Sequence, residues 1–156
     1  MKKKAIIISI KSYQITSKEK LLLAKENPWG IILFKRNIKS LDQIKFLTKN
    51  IRKLTKNKHF PILIDEEGST VSRLRNIIHH NISANYFGKL YFLNKRSCVR
   101  MYKEYLKSLC KNLRNIGINI NTIPVLDVLR NNTSKVLLNR IFSNKKYIVK
   151  KLGEIT

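Results

Sequence analysis

The sequence predicts an α/β fold in which parallel strands alternate with helices. Short, continuously apolar segments rich in β-branched residues recur along the chain, as expected for strands that are buried on both faces of a parallel sheet. The longer segments between them carry apolar residues at helical spacing, and they are long enough for parallel crossovers. A doubly wound sheet and part of a (β/α)8 barrel both fit this alternation. A complete barrel needs about 250 residues, and this chain has 156.

The first half of the chain contains three predicted strands, at residues 5–10, 29–34 and 61–64, and the first of these is expected to be buried. Two capping boxes, Thr16 with Glu19 and Ser40 with Gln43, predict where the intervening helices begin. The first helix is expected to end before Pro28. The second carries an apolar stripe at helical spacing, formed by Leu41, Ile44, Leu47, Ile51 and Leu54.

The second half begins with a stretch, residues 66–94, that we predict to be irregular. A long helix follows, with an apolar stripe formed by Val99, Tyr102, Leu106, Leu109, Leu113 and Ile116. Gly117 is a natural residue for the position just after this helix. Residues 118–128 are predicted to contain the fourth strand, centred on residues 123–126, and a last helix is predicted near residues 147–152.

The formal charge of +24 comes from 33 Lys and Arg against 9 Asp and Glu. Such a charge is typical of proteins that bind nucleic acid or anionic membranes. The chain, however, also contains 24 Lys, 22 Ile and 16 Asn, residues that all have AT-rich codons, and its basic residues are spread along the sequence. We therefore predict no specific nucleic-acid partner. A basic α/β nucleic-acid binder remains the alternative, with weak, salt-dependent polyanion binding expected in either case.

The sequence predicts a cytoplasmic protein without a membrane segment. No apolar run approaches the ~18 residues of a membrane-spanning helix, and the apolar run after Met1 is too short for a signal peptide. The two cysteines, Cys98 and Cys110, fall in one predicted helix, about 18 Å apart along its axis and too far apart for a disulfide. Both are expected to pack as helix residues in a reducing compartment.

The acidic residues are scarce, and three of them, Asp65, Glu66 and Glu67, are consecutive. They follow the third predicted strand, and Asp127 follows the fourth, where parallel α/β folds place their functional face. One interpretation is a carboxylate that faces a polar ligand and is held by Arg73 and Arg75. The alternative is a solvated loop that caps a helix.

No metal or cofactor is predicted. The three histidines lack zinc-site spacing, and no glycine-rich nucleotide-binding motif occurs in the sequence.

Four segments together resemble family 3 glycoside hydrolases, specifically the bacterial cytoplasmic β-N-acetylglucosaminidases. In order along the chain, these segments resemble "GxILFxRN" at residues 29–37, "DQEGGRVQR" at 62–73, "GINxxFAPVLDV" at 113–128 and "(D/E)RSF" at 139–143. The resemblance extends from residue 15 to residue 153. It implies that residues 1–156 are the first half of a (β/α)8 TIM-type barrel, as a partial N-terminal domain of this family.

The resemblance also implies a retaining β-N-acetylhexosaminidase. Such enzymes remove β-linked N-acetylglucosamine from cell-wall muropeptides during peptidoglycan recycling, or from chitooligosaccharides. Matched residue by residue, Asp65, Arg73 and Arg140 are the substrate-binding residues. A carboxylate can accept hydrogen bonds from two sugar hydroxyls, and a planar guanidinium donates in a fixed fork.

The chain also departs from the family pattern. Glu66 replaces the usual Gln, and an extra carboxylate beside Asp65 can raise its pKa. The family's acid/base histidine and its nucleophilic aspartate belong to later segments, so we expect no catalytic residue within residues 1–156. The chain is then expected to be inactive alone, with a C-terminal half of the same barrel as its partner. A non-catalytic sugar- or polyanion-binding remnant is the alternative.

Overall fold

The computed structural model describes residues 2–156 and contains four strands and five α-helices. In chain order they are β1 (Lys4–Ser9), α1 (Ser17–Glu26), β2 (Pro28–Leu33), α2 (Leu41–Leu54), β3 (Ile62–Ile64), α3 (Ala84–Leu93), α4 (Lys95–Asn115), β4 (Ile120–Asn121) and α5 (Lys146–Gly153). Short 3-10 turns occupy Lys35–Asn37 and Lys135–Leu137.

The four strands form one parallel sheet in the order β1-β2-β3-β4. In register, Ile31 of β2 lies opposite Ile62 of β3, and Leu33 lies opposite Ile64. Strands that are consecutive in the sequence are therefore neighbours in the sheet. A doubly wound sheet reverses its strand order at a switch point, and no reversal occurs among residues 2–156. The order is that of a barrel, and the parallel α/β prediction is confirmed.

Two apolar clusters hold the helices in place. The larger one packs β2 and β3 against α1, α2 and the second half of α4. The smaller one joins α3, the first half of α4 and α5 around Phe142. Its rings are in contact, with centroids 4.6 Å apart for Phe87 and Tyr102, and 5.8 Å apart for Tyr102 and Phe142. Tyr105 packs against both clusters.

Two of the predicted helix ends are confirmed. At the start of α1, the Glu19 carboxylate accepts from the Thr16 backbone N–H (2.8 Å), and the Thr16 hydroxyl accepts from the Glu19 N–H (3.2 Å). After α4, Gly117 takes a left-handed φ of 80°, and the Ile118 N–H reaches back to the Leu113 carbonyl (2.9 Å).

The second predicted capping box is only half formed. Ser40 caps the Gln43 N–H of α2 at 3.2 Å, but the Gln43 side chain accepts from the Lys39 N–H instead of from Ser40.

The prediction of a buried first strand is wrong. Ile6 and Ile7 of β1 are 50% and 44% exposed, and only Ile10, just after the strand, is fully buried. The reason is that β1 is an edge strand, with β2 as its only partner in the described chain. Its β-branched composition identifies a strand but not what covers that strand.

The prediction of an irregular stretch over residues 66–94 is wrong for its last part, where α3 begins at the Ser83 cap. This helix carries apolar residues on its exposed face as well as on its buried face, for example Phe92 and Leu93 at 65% and 80% exposure, so no clear stripe marks it in the sequence. Gly88 shows how closely it packs, since a Cβ there would lie 1.6 Å from the Phe142 carbonyl oxygen.

The fourth strand, Ile120–Asn121, lies within the predicted segment 118–128 but before its predicted centre at residues 123–126. The peptide bond between Ile123 and Pro124 is cis, and the proline has no N–H for a sheet. The side chains of Asn119 and Asn121 extend the pairing with β3. Asn119 accepts from the Ile62 N–H (2.7 Å), and Asn121 accepts from the Glu66 N–H (2.9 Å).

The cysteine prediction holds for only one of the two residues. Cys98 is buried and its thiol donates to the Phe87 carbonyl (3.2 Å), and burial raises the pKa of this thiol. Cys110 is exposed, because its position lies outside the apolar stripe of α4.

A buried asparagine joins the loops that follow β1 and β2. Asn37 has no exposed surface, and its Nδ2 donates to the carbonyls of Ile10 and Ser12, both at 3.0 Å. Its Oδ1 accepts from the Phe34 N–H at 2.9 Å. Both N–H groups of this amide and its oxygen are therefore hydrogen-bonded to backbone groups of the two loops.

We expect Asn37→Ala to lower the free energy of unfolding by about 2–4 kcal/mol, because it leaves buried backbone groups without partners. Urea unfolding followed by circular dichroism measures the change. Asn132→Ala, at an exposed position, is the matched control and should change stability by less than about 0.5 kcal/mol. Equal stabilities for the two variants would contradict this role of Asn37.

Candidate functional site

The candidate site begins with Asp65, the first residue after β3. Its Oδ2 accepts from Nη2 of Arg73 at 2.9 Å, and its Oδ1 accepts from the Thr122 hydroxyl at 2.7 Å. Thr122 directly follows β4, so the carboxyl ends of two neighbouring parallel strands bring these groups together. Asp65 keeps 24% of its side-chain surface exposed, so solvent and ligands can reach it.

The neighbours of Asp65 hold it ionised. Partial burial by itself would raise the pKa of this carboxyl, but hydrogen bonds from Thr122 and Arg73 and the positive charges of Arg73 and Arg140 outweigh it and lower the pKa. The prediction that Glu66 raises the pKa of Asp65 is therefore wrong. The reason is geometric, since the Glu66 side chain points into the interior and has partners of its own.

Glu66 has no exposed surface. Its Oε2 accepts from the backbone N–H groups of Arg73 (2.8 Å) and Leu74 (2.9 Å), and its Oε1 lies 2.6 Å from Nε2 of His80. Burial alone would raise the pKa of Glu66, but these hydrogen bonds reverse the effect and lower it. This carboxylate therefore organises the loop around it and does not face solvent.

Glu67 forms a two-pronged ion pair with Arg140. The guanidinium donates through Nε and Nη2 to the two carboxylate oxygens, both at 2.7 Å, in the fork geometry that arginine favours with carboxylates. Hydrogen bonding and the charge of Glu67 raise the pKa of Arg140 despite its partial burial, and the charges of Asp65 and Asp127 act in the same direction. Arg140 is thus fixed beside Asp65.

The loop after these acids depends on Gly68. Its φ of 129° lies in the region that favours glycine, and a Cβ there would lie 2.1 Å from the Ile82 carbonyl oxygen. The two ends of the loop that carries Arg73 therefore come together at Gly68. Arg75, which we expected beside the acids, turns away and donates to the Ser69 carbonyl.

The structure brings together the three predicted binding residues, Asp65, Arg73 and Arg140, at the carboxyl ends of the strands. Sequence reasoning missed Thr122 and the Phe34 ring, which lies under two cations, with Arg36 at 4.8 Å and Arg73 at 5.7 Å from its centroid. Both missed residues lie within the segments that carry the family resemblance, directly after β4 and β2. Their position after a strand is the signal that could have found them.

One buried polar atom of the site lacks a partner. Nε of Arg73 is buried and has no hydrogen-bond acceptor among residues 2–156, while Nη2 of the same side chain is paired with Asp65. A buried donor without an acceptor costs about 1–3 kcal/mol. One N–H of this guanidinium is therefore left unpaired inside the loop, while Nη2 makes the contact with Asp65.

Two further features of the described chain concern metals and membranes. Among residues 2–156, no three His, Cys, Asp or Glu side chains converge in a way that could hold a metal ion. None of the helices in this range is long and apolar enough to cross a membrane.

Comparison with known proteins identifies the family. The model of the glycosyl hydrolase family 3 N terminal domain matches residues 2–156. The chain belongs to glycosyl hydrolase family 3. Its similarity to the β-hexosaminidase of Psychromonas ingrahamii is 34% identity over 141 residues, which covers 89% of this chain and 40% of that protein. The β-hexosaminidase of Hydrogenovibrio crunogenus is 28% identical over 149 residues, which cover 96% of this chain and 41% of that protein.

Solved structures of family 3 proteins share the fold. NagZ from Neisseria gonorrhoeae, in complex with N-trifluoroacetyl-D-glucosamine, superposes with a TM-score of 0.85 at 27% identity, over 96% of this chain and 44% of that one. The fold is therefore α/β of the TIM-barrel type, as the sequence predicts. The chain spans about two fifths of the length of these relatives.

The lowered pKa values of Asp65 and Glu66 predict how the stability of this family 3 chain depends on pH. In the unfolded chain both carboxyls bind protons at higher pH than in the fold. Their contribution to stability is therefore complete above their ordinary pKa values of about 4 and is lost as pH falls through the lower values of the fold.

We expect the Tm to fall as the pH drops below about 4, and Asp65→Asn combined with Glu66→Gln to flatten this dependence. Thermal unfolding followed at several pH values measures the slope. Asp42→Asn, at an exposed position, is the control and should keep the wild-type slope. A double variant with the same slope as the wild type would show that these carboxylates are not the groups responsible.

Proposed function

We propose that this chain forms the N-terminal part of a retaining β-N-acetylhexosaminidase barrel, in which Asp65, Arg73 and Arg140 hold the sugar. One observation carries the proposal. In a chain of this family, these three side chains converge at the carboxyl ends of the parallel strands, which is where TIM-barrel enzymes bind their substrates. The structurally similar NagZ of Neisseria gonorrhoeae binds an N-acylated glucosamine derivative.

The geometry suits a sugar ring. Each oxygen of the Asp65 carboxylate has one protein donor and room for another hydrogen bond, so it can accept from sugar hydroxyl groups. The Arg73 side chain is 29% exposed, so its guanidinium can also donate to a hydroxyl oxygen of the same ring. Arg140 supports this arrangement electrostatically, because its positive charge lowers the pKa of Asp65.

The same contacts support a binding role for Asp65 over a role in bond cleavage. A retaining hydrolase needs one carboxylate as nucleophile and a separate acid/base group on the other side of the bond. Asp65 already has a donor on each oxygen, and the other two acids of the segment are committed to His80 and Arg140. We propose that the nucleophile and the acid/base come from a part of the barrel beyond these residues.

The partner that supplies them is proposed to be the C-terminal part of the same barrel. Within residues 2–156, β1 and β4 are both edge strands with one neighbour each, and open edges pair readily with further strands. The similar β-hexosaminidases are more than twice as long as the region matched here. Their remaining strands would close the sheet between β4 and β1.

For the whole enzyme we propose N-acetylglucosamine-containing muropeptides as substrates, in peptidoglycan recycling, with chitooligosaccharides as the other class. A cytoplasmic location is part of this proposal and rests on the cysteine usage, since both cysteines are free thiols. The high positive charge supports a second candidate, a chain that binds sugars or polyanions without turnover.

We expect the chain to bind N-acetylglucosamine and Asp65→Ala to weaken binding by about tenfold or more, because the substitution removes a charged acceptor and leaves Arg73 unpaired. Titration followed by NMR measures the affinity. The control is Asp42→Ala, which removes an exposed carboxylate outside the candidate site and should bind like the wild type. Equal affinity in wild type and Asp65→Ala would contradict the assignment, and salt-sensitive binding to heparin or RNA in place of the sugar would favour the second candidate.

We expect a polypeptide of residues 1–156 alone to release no N-acetylglucosamine from a chromogenic β-N-acetylglucosaminide, because binding residues without a nucleophile and an acid/base do not cleave the bond. Release of the chromophore by the purified chain is the measurement. Turnover that survives purification and is lost in Asp65→Ala would show that the catalytic groups lie within these residues after all.

A further inference from the structure

A buried row of hydrogen-bonded polar groups lies next to the proposed sugar-binding residues Asp65, Arg73 and Arg140, which we call the sugar clamp. It runs from Glu66 to His80 to Tyr105: Oε1 of Glu66 is 2.6 Å from Nε2 of His80, and Nδ1 of His80 is 3.2 Å from the Tyr105 hydroxyl. Glu66 is fully buried, and the His80 side chain is only 12% exposed. These residues link the end of β3, the loop after it and the middle of α4.

With a neutral His80 ring, one arrangement of protons satisfies both contacts of the histidine. A carboxylate only accepts hydrogen bonds, so His80 must carry a proton on Nε2. Nδ1 of His80 then accepts from Tyr105, whose proton is firmly held because burial raises the pKa of its hydroxyl to about 12. The other oxygen of Glu66 accepts from the backbone N–H groups of Arg73 and Leu74.

The backbone of Arg73 is thus fixed by Glu66, while the side chain of Arg73 is fixed by Asp65, the residue next to Glu66. A change in the Glu66 contacts would shift the guanidinium relative to Asp65. In many binding sites, polar residues that do not contact the ligand hydrogen-bond to the residues that do. They fix the position of those binding residues and so affect how tightly the ligand binds.

We propose that Glu66, His80 and Tyr105 form a positioning network that holds Arg73 against Asp65 and so sets the affinity of the clamp for sugar. This inference rests on the proposed function for the sugar affinity, but the placement of Arg73 can be measured without any ligand. Its members are positioning residues, since the hydrogen bonds described here join them to one another and to the backbone of the loop and not to the Asp65 side chain.

Glu66→Gln gives the sharpest test, because its effect on His80 is specific. The single oxygen of the Gln side chain is needed by the N–H groups of Arg73 and Leu74, so its NH2 must face His80. Nε2 of His80 then has to accept, and its proton moves to Nδ1, which donates to Tyr105. The hydrogen bonds to Arg73 remain, so this variant should hold the clamp in place.

The experiment uses the full chain, with NMR of the His80 ring nitrogens and of the Arg73 and Leu74 amides at pH 8, and titration with N-acetylglucosamine. We expect His80 to carry its proton on Nε2 in the wild type and in Tyr105→Phe, and on Nδ1 in Glu66→Gln. Glu66→Ala should expose the two amides to exchange and weaken sugar binding by about tenfold. Glu66→Gln should restore the affinity to within about twofold of the wild type.

Thr48→Val is the control for a general loss of stability. Thr48 is buried, and its hydroxyl donates to the Ile116 carbonyl (2.9 Å) at the opposite end of the sheet. It should lower the Tm while leaving the sugar affinity and the amide exchange of Arg73 unchanged.

The outcomes separate the two proposals. An unchanged sugar affinity in Glu66→Ala, or the same histidine tautomer in wild type and Glu66→Gln, would overturn the positioning network and leave the proposed function standing. A wild type that binds no sugar, but whose Arg73 amide and His80 tautomer respond as described, would instead overturn the proposed function and support the network. If Glu66→Ala fails to fold, the tautomer of His80 in Glu66→Gln and in Tyr105→Phe still tests whether the positioning network is present.

Discussion

Three consecutive carboxylates follow β3, and each of them binds a different part of the molecule. Asp65 pairs with Arg73 and Thr122, Glu66 pairs with His80 and two backbone amides, and Glu67 pairs with Arg140. Adjacent carboxylates would repel one another if they shared one environment. Because successive side chains point in different directions, each charge meets its own donors. This segment therefore ties together the strand ends, the loop of residues 66–82 and the segment around Arg140.

The excess of positive charge makes these ion pairs and hydrogen bonds more important for the stability of the fold. With 33 basic residues against 9 acidic ones, most cations have no acid available, and self-repulsion opposes the compact state. Even so, three of the nine acids are concentrated at one point, where they are partly or fully buried. Their hydrogen bonds outweigh the cost of burial for Asp65 and Glu66, as the lowered pKa of each carboxyl indicates. The surface composition is consistent with genomic drift, whereas this arrangement of acids is specific.

Much of the fold follows from local patterns in the sequence. The Thr16 and Glu19 capping box, the apolar stripe of α4 and the left-handed turn at Gly117 are where the sequence predicts them, because each depends on residues within a few positions of one another. The errors arise where distant residues decide. The exposure of β1 depends on which strands lie beside it. No stripe marks α3, because it carries apolar residues on its exposed face as well as on its buried face. The pairing of β3 with β4 includes the side chains of Asn119 and Asn121, which a strand pattern does not reveal.

The sequence by itself determined the parallel α/β class, the family and the residues at the ends of the strands. It did so because strand composition, helix periodicity and family segments are all local signals. Only the tertiary structure decided what each of the three acids does, since Arg140, His80 and Thr122 are 73, 14 and 57 positions away from Glu67, Glu66 and Asp65. Hydrogen bonds over such separations depend on how the loops fold back over the sheet, and no pattern within one segment encodes that.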